Sequence, residues 1–369
     1  MSAEREERLR GCVEPLLGWY RENRRPLPWR AEPAPYRVWV SEIMLQQTRI
    51  EAVIPYYERF LAELPDAAAL AAVSEERLLK LWEGLGYYSR ARNLKKAAQR
   101  VMADFGGALP REAAQLRTLP GIGDYTAGAV ASIAFGLPEP AVDGNVLRVL
   151  SRVSLYGGDV MLPAAKKEAA EALREIYPGG RAAAMMTEGL MEIGEVVCVP
   201  NGEPLCASCP LRELCQAEAR GEALNYPVRS PRKERRIEER TVFLIRAPGG
   251  RFLLRRRPAE GLLGGMWEFP SVPGSCAEED LPAALETVLP GAEPVSFASV
   301  GEAKHLFTHV EWRMKGILAE LAETPPLPPA DGGSDPDAVL VFAAPEEIAG
   351  KYAVPSAFRA WKKIALGTG

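Results

Sequence analysis

The 369-residue sequence predicts a multidomain protein, an all-α domain followed by a smaller α/β domain. Three observations predict it. Apolar positions recur at helical spacing through residues 1–225. A polar, proline-bearing stretch fills 226–240, and strand-like and helical runs mix through 241–366. An apolar share of 47% is enough for a packed core.

Helical periodicity is clearest from Val38 to Met44, from Leu78 to Trp82 and from Val146 to Val153. Breaks fall at Gly106-Gly107, Pro138-Glu139-Pro140 and Pro178-Gly179-Gly180. Residues 226–240 suit a linker, because charge and proline displace apolar residues. Beyond them, 241–246 and 251–255 flank a Pro-Gly-Gly turn and predict a β-hairpin. Runs at 295–299, 312–318 and 339–342 predict further strands, and 281–289 and 358–366 predict helices.

No apolar run approaches the roughly 18 residues that span a bilayer, and the charged N-terminus lacks a signal segment. A soluble, intracellular and monomeric protein with no membrane partner is expected, cytoplasmic and nucleoid-associated in a bacterium, nuclear or mitochondrial in a eukaryote. The net charge of −4 argues mildly against a nucleic-acid partner. A local basic groove stays compatible with it, since phosphate contacts depend on placement.

Leu119-Pro120-Gly121-Ile122-Gly123-Asp124-Tyr125 carries the first chemical signal. Gly121 and Gly123 allow a tight turn between two helices, near 112–136, and such a turn offers backbone N–H groups to a phosphate. An ordinary αα-hairpin is the competing reading. Asp143 precedes a periodic helix, so it is either an N-cap or a carboxylate poised over a sugar. Glu42 shares a predicted helical face with Gln46 and Arg49 among apolar neighbours. It is either a solvated glutamate or a partly desolvated general acid. Two such carboxylates match the logic of glycosidic cleavage, one giving a proton and one stabilising a sugar cation.

Six cysteines are present, of which Cys198, Cys206, Cys209 and Cys215 are clustered. Four thiolates at this spacing suit zinc, the safer choice on spacing alone, or an iron–sulfur cluster. Cys12 and Cys276 stand apart and are expected to pack in the core.

In this order, the Leu-Pro-Gly-Ile-Gly turn, Val142-Asp143-Gly144-Asn145 and the cysteine set resemble the helix-hairpin-helix DNA glycosylase superfamily, over roughly residues 8–220. The resemblance implies a [4Fe–4S] cluster on the four cysteines, with zinc as the alternative. The gap between the first two is seven residues where the family has six. Lyases of the superfamily carry a lysine in the hairpin, whereas Tyr125 stands here, as in its adenine-removing branch. Glu42–Thr48 and Trp82–Arg92 also look like segments of that branch.

By resemblance, Glu42 protonates the adenine, Asp143 stabilises the cation, and Tyr125 and Asn145 support them. Arg25, Trp29, Arg30 and Glu188 line the adenine pocket. Gln47, Thr48, Leu85 and Tyr87 fill the gap left by the flipped base, although Leu85 and Trp29 also suit plain core packing. Residues from about 238 to 366 resemble the Nudix-like domain of this branch, through Leu263-Gly-Gly-Met-Trp-Glu-Phe-Pro270. The glutamate-rich magnesium helix of a working Nudix hydrolase is missing, and Phe307, Thr308 and His309 stand where the family has Phe-Ser-His for 8-oxoguanine. The expected partner is duplex DNA with adenine opposite 8-oxoguanine or guanine. A glycosylase-lyase and a non-enzymatic zinc DNA-binding protein are the competing readings.

Overall fold

The computed structural model describes residues 3–231, 234–327 and 339–368. Arg232 and Lys233 of the expected linker, and 328–338 of the expected second domain, lie outside the described residues. The chain divides into two compact units, one of Met1–Ala72 with Arg92–Pro231, the other of Val73–Ala91 with Arg232–Gly369. Among the described residues, no helix is long and apolar enough to cross a membrane.

The first unit is helical. Its core gathers Leu16, Val146, Val149, Val153, Leu173 and Ile193 from helices far apart in sequence. The helix Pro35–Leu45 starts on proline at its first turn, which suits that position because the missing N–H has no partner there anyway. Every residue from Val38 to Met44 is buried. This helix covers the periodic stretch but stops about one turn short of Arg49, which was expected on a shared helical face with Glu42. Gln47 takes φ 56°, so Gln46 is the C-cap and Arg49 caps the next helix, Ile50–Glu63. The shared helical face of Glu42, Gln46 and Arg49 therefore does not exist.

The predicted hairpin joins the short helix Ala113–Leu116 to the helix Asp124–Phe135. Gly121 has φ 77°, and a Cβ there would lie 2.7 Å from Cβ of Asn93, so glycine is required twice over. The helix Gly144–Ser154 follows, with Asp143 as its N-cap. The segment leading to Asp143 passes so close to Asp124–Phe135 that a Cβ on Gly128 would meet the Pro140 carbonyl at 2.2 Å.

Among the described residues, the second unit is built on a sheet of seven strands: β1 (Arg236–Ala247), β2 (Arg251–Arg256), β3 (Trp267–Glu268), β4 (Ser271–Pro273), β5 (Pro294–Leu306), β6 (Val310–Leu321) and β7 (Leu340–Ala343). The main order is β3-β2-β1-β6-β5, with β4 on β1 and β7 on β2. β1 and β6 run parallel, and the other pairs are antiparallel. The helices Leu281–Val288 and Arg359–Ala365 contribute to separate apolar clusters of the unit.

β1 begins at Arg236, inside the predicted linker. Arg236 to Arg240 pair with Val310 to Met314, and their charges escape to solvent or to partners such as Glu238. Polarity at an exposed strand end looks the same as polarity in a linker. β3 and β4 are too short to show a period of two.

Candidate active site

Several segments of the first unit line a cavity of about 180 Å3. The helix Pro35–Leu45 contributes Glu42, and the start of Asp124–Phe135 contributes Tyr125. Asp143 and Asn145 come from the start of Gly144–Ser154, and Glu188 and Glu192 from Arg181–Val196. Arg25, Trp29 and Arg30 close the wall. All eight residues expected for catalysis and the adenine pocket line this cavity, with Asn145 hydrogen-bonded to Asp143.

Glu42 is 4% exposed, and the Tyr125 hydroxyl donates to its Oε2 at 2.7 Å. Burial pushes its carboxyl up to about 7, and the negative charges of Glu188 and Asp143 add to the rise, while the Tyr125 hydrogen bond and Arg30 oppose it. Near neutral pH the group can therefore hold a proton and release it. Burial beside two carboxylates also holds the Tyr125 phenol well above its usual range, so it remains a donor.

Asp143 combines both of its sequence readings. Its Oδ1 accepts the Val146 N–H at 2.8 Å, the capping bond, and its Oδ2 accepts the Asn145 amide at 3.0 Å. Burial raises its carboxyl, and these hydrogen bonds with Arg148 resist the rise. A cap clamped on both oxygens cannot swing away, so the carboxylate facing the cavity is fixed in place.

The wall holds a residue that the sequence did not single out. Glu192 accepts Arg25 Nε at 2.6 Å and Arg30 Nη2 at 2.7 Å. Burial alone would raise it, but these two arginines keep it below the usual range. Glu188 accepts the Tyr20 hydroxyl at 2.7 Å and stands 3.5 Å from Arg30. Glu192 lies four residues after Glu188 on one helix, and that spacing was the available signal. Trp29 both lines the cavity and packs edge-on to Tyr57 at 5.5 Å.

Leu45, Tyr125 and Asp143 also face a wider groove of about 1210 Å3 that includes Gln47 and Gly123. Arg117, Lys166, Lys167 and Arg174 line it together with Asp124, Glu139 and Glu171, and Arg117, Lys167 and Arg174 each pair with one of these carboxylates. Thr48 lines the smaller cavity. Leu85 is buried at 6% exposure, as its packing reading requires, whereas Tyr87 is 47% exposed.

The four clustered cysteines influence one another electrostatically, and burial raises the thiols of Cys206 to about 11 and Cys209 to about 12. Arg152 donates to Cys198 Sγ at 3.2 Å, and Arg148 donates to the Cys198 carbonyl at 2.7 Å. The longer first gap closes through a bond from Leu205 N–H to the Val197 carbonyl at 2.9 Å. The set suits a cationic centre, because half-buried thiols become stable thiolates once positive charge is bound among them, and Arg152 already faces the Cys198 sulfur. Among the described residues no group of three or more metal-ligating side chains is already arranged around a single ion. Cys12 is buried in the core, and Cys276 packs against one of the sheet clusters.

In the second unit, Phe307, Thr308 and His309 form the turn between β5 and β6. Thr308 and His309 are exposed, and Phe307 packs on Trp312 and His305 at 4.8 and 4.6 Å.

Residues 40–178 match the HhH-GPD superfamily of base excision DNA repair proteins, and residues 241–363 match the NUDIX domain. Fold and pocket together define a helix-hairpin-helix base-excision DNA glycosylase with a Nudix-like domain. The adenine DNA glycosylase of Homo sapiens is 35% identical over 84% of this chain and 67% of that protein. That of Mus musculus is 34% identical over 87% of this chain and 76% of that protein. A thermostable thymine-DNA glycosylase superposes with a TM-score of 0.53 at 29% identity, covering 58% of this chain and 98% of that one. An endonuclease III–DNA complex, at 24% identity and a TM-score of 0.50 over 60% of this chain and 99% of that one, supports the fold alone. The chain belongs to the adenine DNA glycosylase family and is an adenine-specific N-glycosylase of base excision repair.

Proposed function

We propose that the enzyme flips adenine out of duplex DNA where it faces 8-oxoguanine or guanine, and hydrolyses its bond to the sugar without nicking the strand. The observation that carries this reading is Glu42, buried in the cavity and poised near pH 7. As the C1′–N9 bond breaks, its electron pair goes to the base, and the Glu42 proton goes to a ring nitrogen so that a neutral adenine leaves. Asp143 stabilises the positive charge left on the sugar. Water adds to that carbon and returns a proton to Glu42. Tyr125 orients Glu42, and Asn145 orients Asp143.

Arg25, Trp29, Arg30 and Glu188 hold the base, with Glu192 fixing the two arginines. Gln47, Thr48, Leu85 and Tyr87 occupy the gap in the duplex, and Gly121 and Gly123 open their N–H groups to a phosphate. Phe307, Thr308 and His309 read the 8-oxoguanine, with the threonine hydroxyl in the serine's role. Cys198, Cys206, Cys209 and Cys215 would hold a [4Fe–4S] cluster in preference to zinc, and the cluster would cross-link the chain there without taking part in base release.

The test is single-turnover release from a duplex with adenine opposite 8-oxoguanine, with and without alkali. Strand breaks are expected only after alkali, since Tyr125 offers no amine for a covalent intermediate. Breaks without alkali would replace this reading with a lyase.

A further inference from the structure

Val73–Ala91 lies early in the chain, yet packs into one compact unit with the residues after 232. Its helix, Glu75–Leu81, starts on Ser74, whose side chain accepts the Arg77 N–H. It ends at a sequestered ion cluster. Lys80 Nζ donates to Glu83 at 2.6 Å, to the Tyr352 carbonyl at 3.0 Å and to the Ile348 carbonyl at 3.2 Å, which engages all three of its donors. Lys362, on Arg359–Ala365, donates to the other Glu83 oxygen. The side chains of Lys80, Glu83 and Lys362 are only 11%, 15% and 18% exposed. An exposed pair would contribute little, but one sheltered from water leaves an uncompensated charge if either partner is removed.

The cluster precedes a strained, displayed turn. Gly84, Gly86 and Tyr87 have φ of 107°, 70° and 47°. A tyrosine at positive φ persists only where its surroundings impose it. Arg90 donates to the Leu85 and Gly86 carbonyls at 3.0 and 3.1 Å, and the Tyr87 and Thr308 hydroxyls are 3.3 Å apart.

We propose that Lys80, acting with Glu83 and Lys362, is a positioning residue for reading the base opposite the adenine. It seats the Leu85–Tyr87 turn beside the Phe307–His309 turn, so that the two meet the opposite strand as a single surface. The inference rests on the assignment of Thr308 to 8-oxoguanine. Lys80 and Lys362 take no part in the adenine cavity.

The experiment compares full-length wild type with K80M, K362M and K80R. It measures single-turnover adenine release opposite 8-oxoguanine and opposite guanine, together with hydrogen exchange over residues 82–90. K80M is expected to slow release opposite 8-oxoguanine about tenfold, within the 5- to 150-fold range of coupled sites, and to leave release opposite guanine within about twofold. Exchange over 82–90 should quicken, and K80R should restore most of the rate ratio. If K80M does not fold, K362M is expected to show the same change of ratio. Equal losses on both substrates, or faster exchange with an unchanged ratio, would overturn the proposal. A wild type that does not distinguish 8-oxoguanine from guanine would instead remove the Thr308 assignment, before any variant is compared.

Discussion

Each unit of this enzyme buries a glutamate, and the two are treated in opposite ways. In the sheet unit, the Glu268 side chain is 1% exposed and receives Arg255 at 2.6 Å as well as Arg257. Two guanidiniums match its charge and occupy both its oxygens. In the helical unit, Glu42 is almost as deeply buried, but a tyrosine hydroxyl is what bonds it, and the negative charges of Glu188 and Asp143 act on it from the same cavity. Burial alone thus says little about a carboxylate. The neighbours decide whether it becomes a structural ion pair or a proton donor. Glu192 makes the same point inside the helical unit, where Arg25 and Arg30 set it apart from Glu42.

The contrast breaks most sharply if Glu42 can be replaced without loss. E42Q keeps the shape and the Tyr125 contact but has no proton to give. Adenine release should fall by roughly 10^3-fold or more, with mismatch DNA still bound, as single-turnover and binding measurements would show. Near-normal turnover would make Glu42 another buried structural carboxylate.

E268A should act in the opposite sense. It strands Arg255 and Arg257, so urea unfolding should reveal a loss of about 3–5 kcal/mol in stability, while folded enzyme still releases adenine. A loss below about 1 kcal/mol would mean that the pair is not held as the geometry indicates.

The smallest effect is the most discriminating. Glu42 holds its proton up to about pH 7 when folded and only to 4.5 ordinarily, so the native state binds more protons between those values. Its contribution to stability is therefore full below pH 4.5 and is lost as pH rises through 7. E42Q should be more stable than wild type at pH 8 by on the order of 2–3 kcal/mol, the gap closing towards pH 4.5. Thermal unfolding at the two pH values would measure it, and a pH-independent difference would remove burial as the cause.

Much of this was legible in the sequence, and the misses have physical causes. Leu-Pro-Gly-Ile-Gly predicted the hairpin because only certain residues tolerate its turn, and Asp143 predicted its helix start because capping is local. The helix after Glu42 was over-extended because a single residue, Gln47, turns to positive φ without being glycine. β1 was shortened because its first residues are charged on both faces. Glu192 and the cations of the groove passed unnoticed, because one glutamate or lysine on a helix looks like any other until its neighbours are known.

What the sequence determined by itself was whatever depends on short range: helical and strand periods, the glycine turn, the cap and the cysteine spacing. Only the tertiary structure decided which carboxylate is held up to about 7, since that follows from burial and from the charges of Glu188 and Asp143, which are remote in the chain. It also decided that Val73–Ala91 belongs with the sheet, an attachment made by Lys80 and Glu83 to residues more than 260 positions later. Periodicity describes the neighbours along a chain, and electrostatics depends on the neighbours in space.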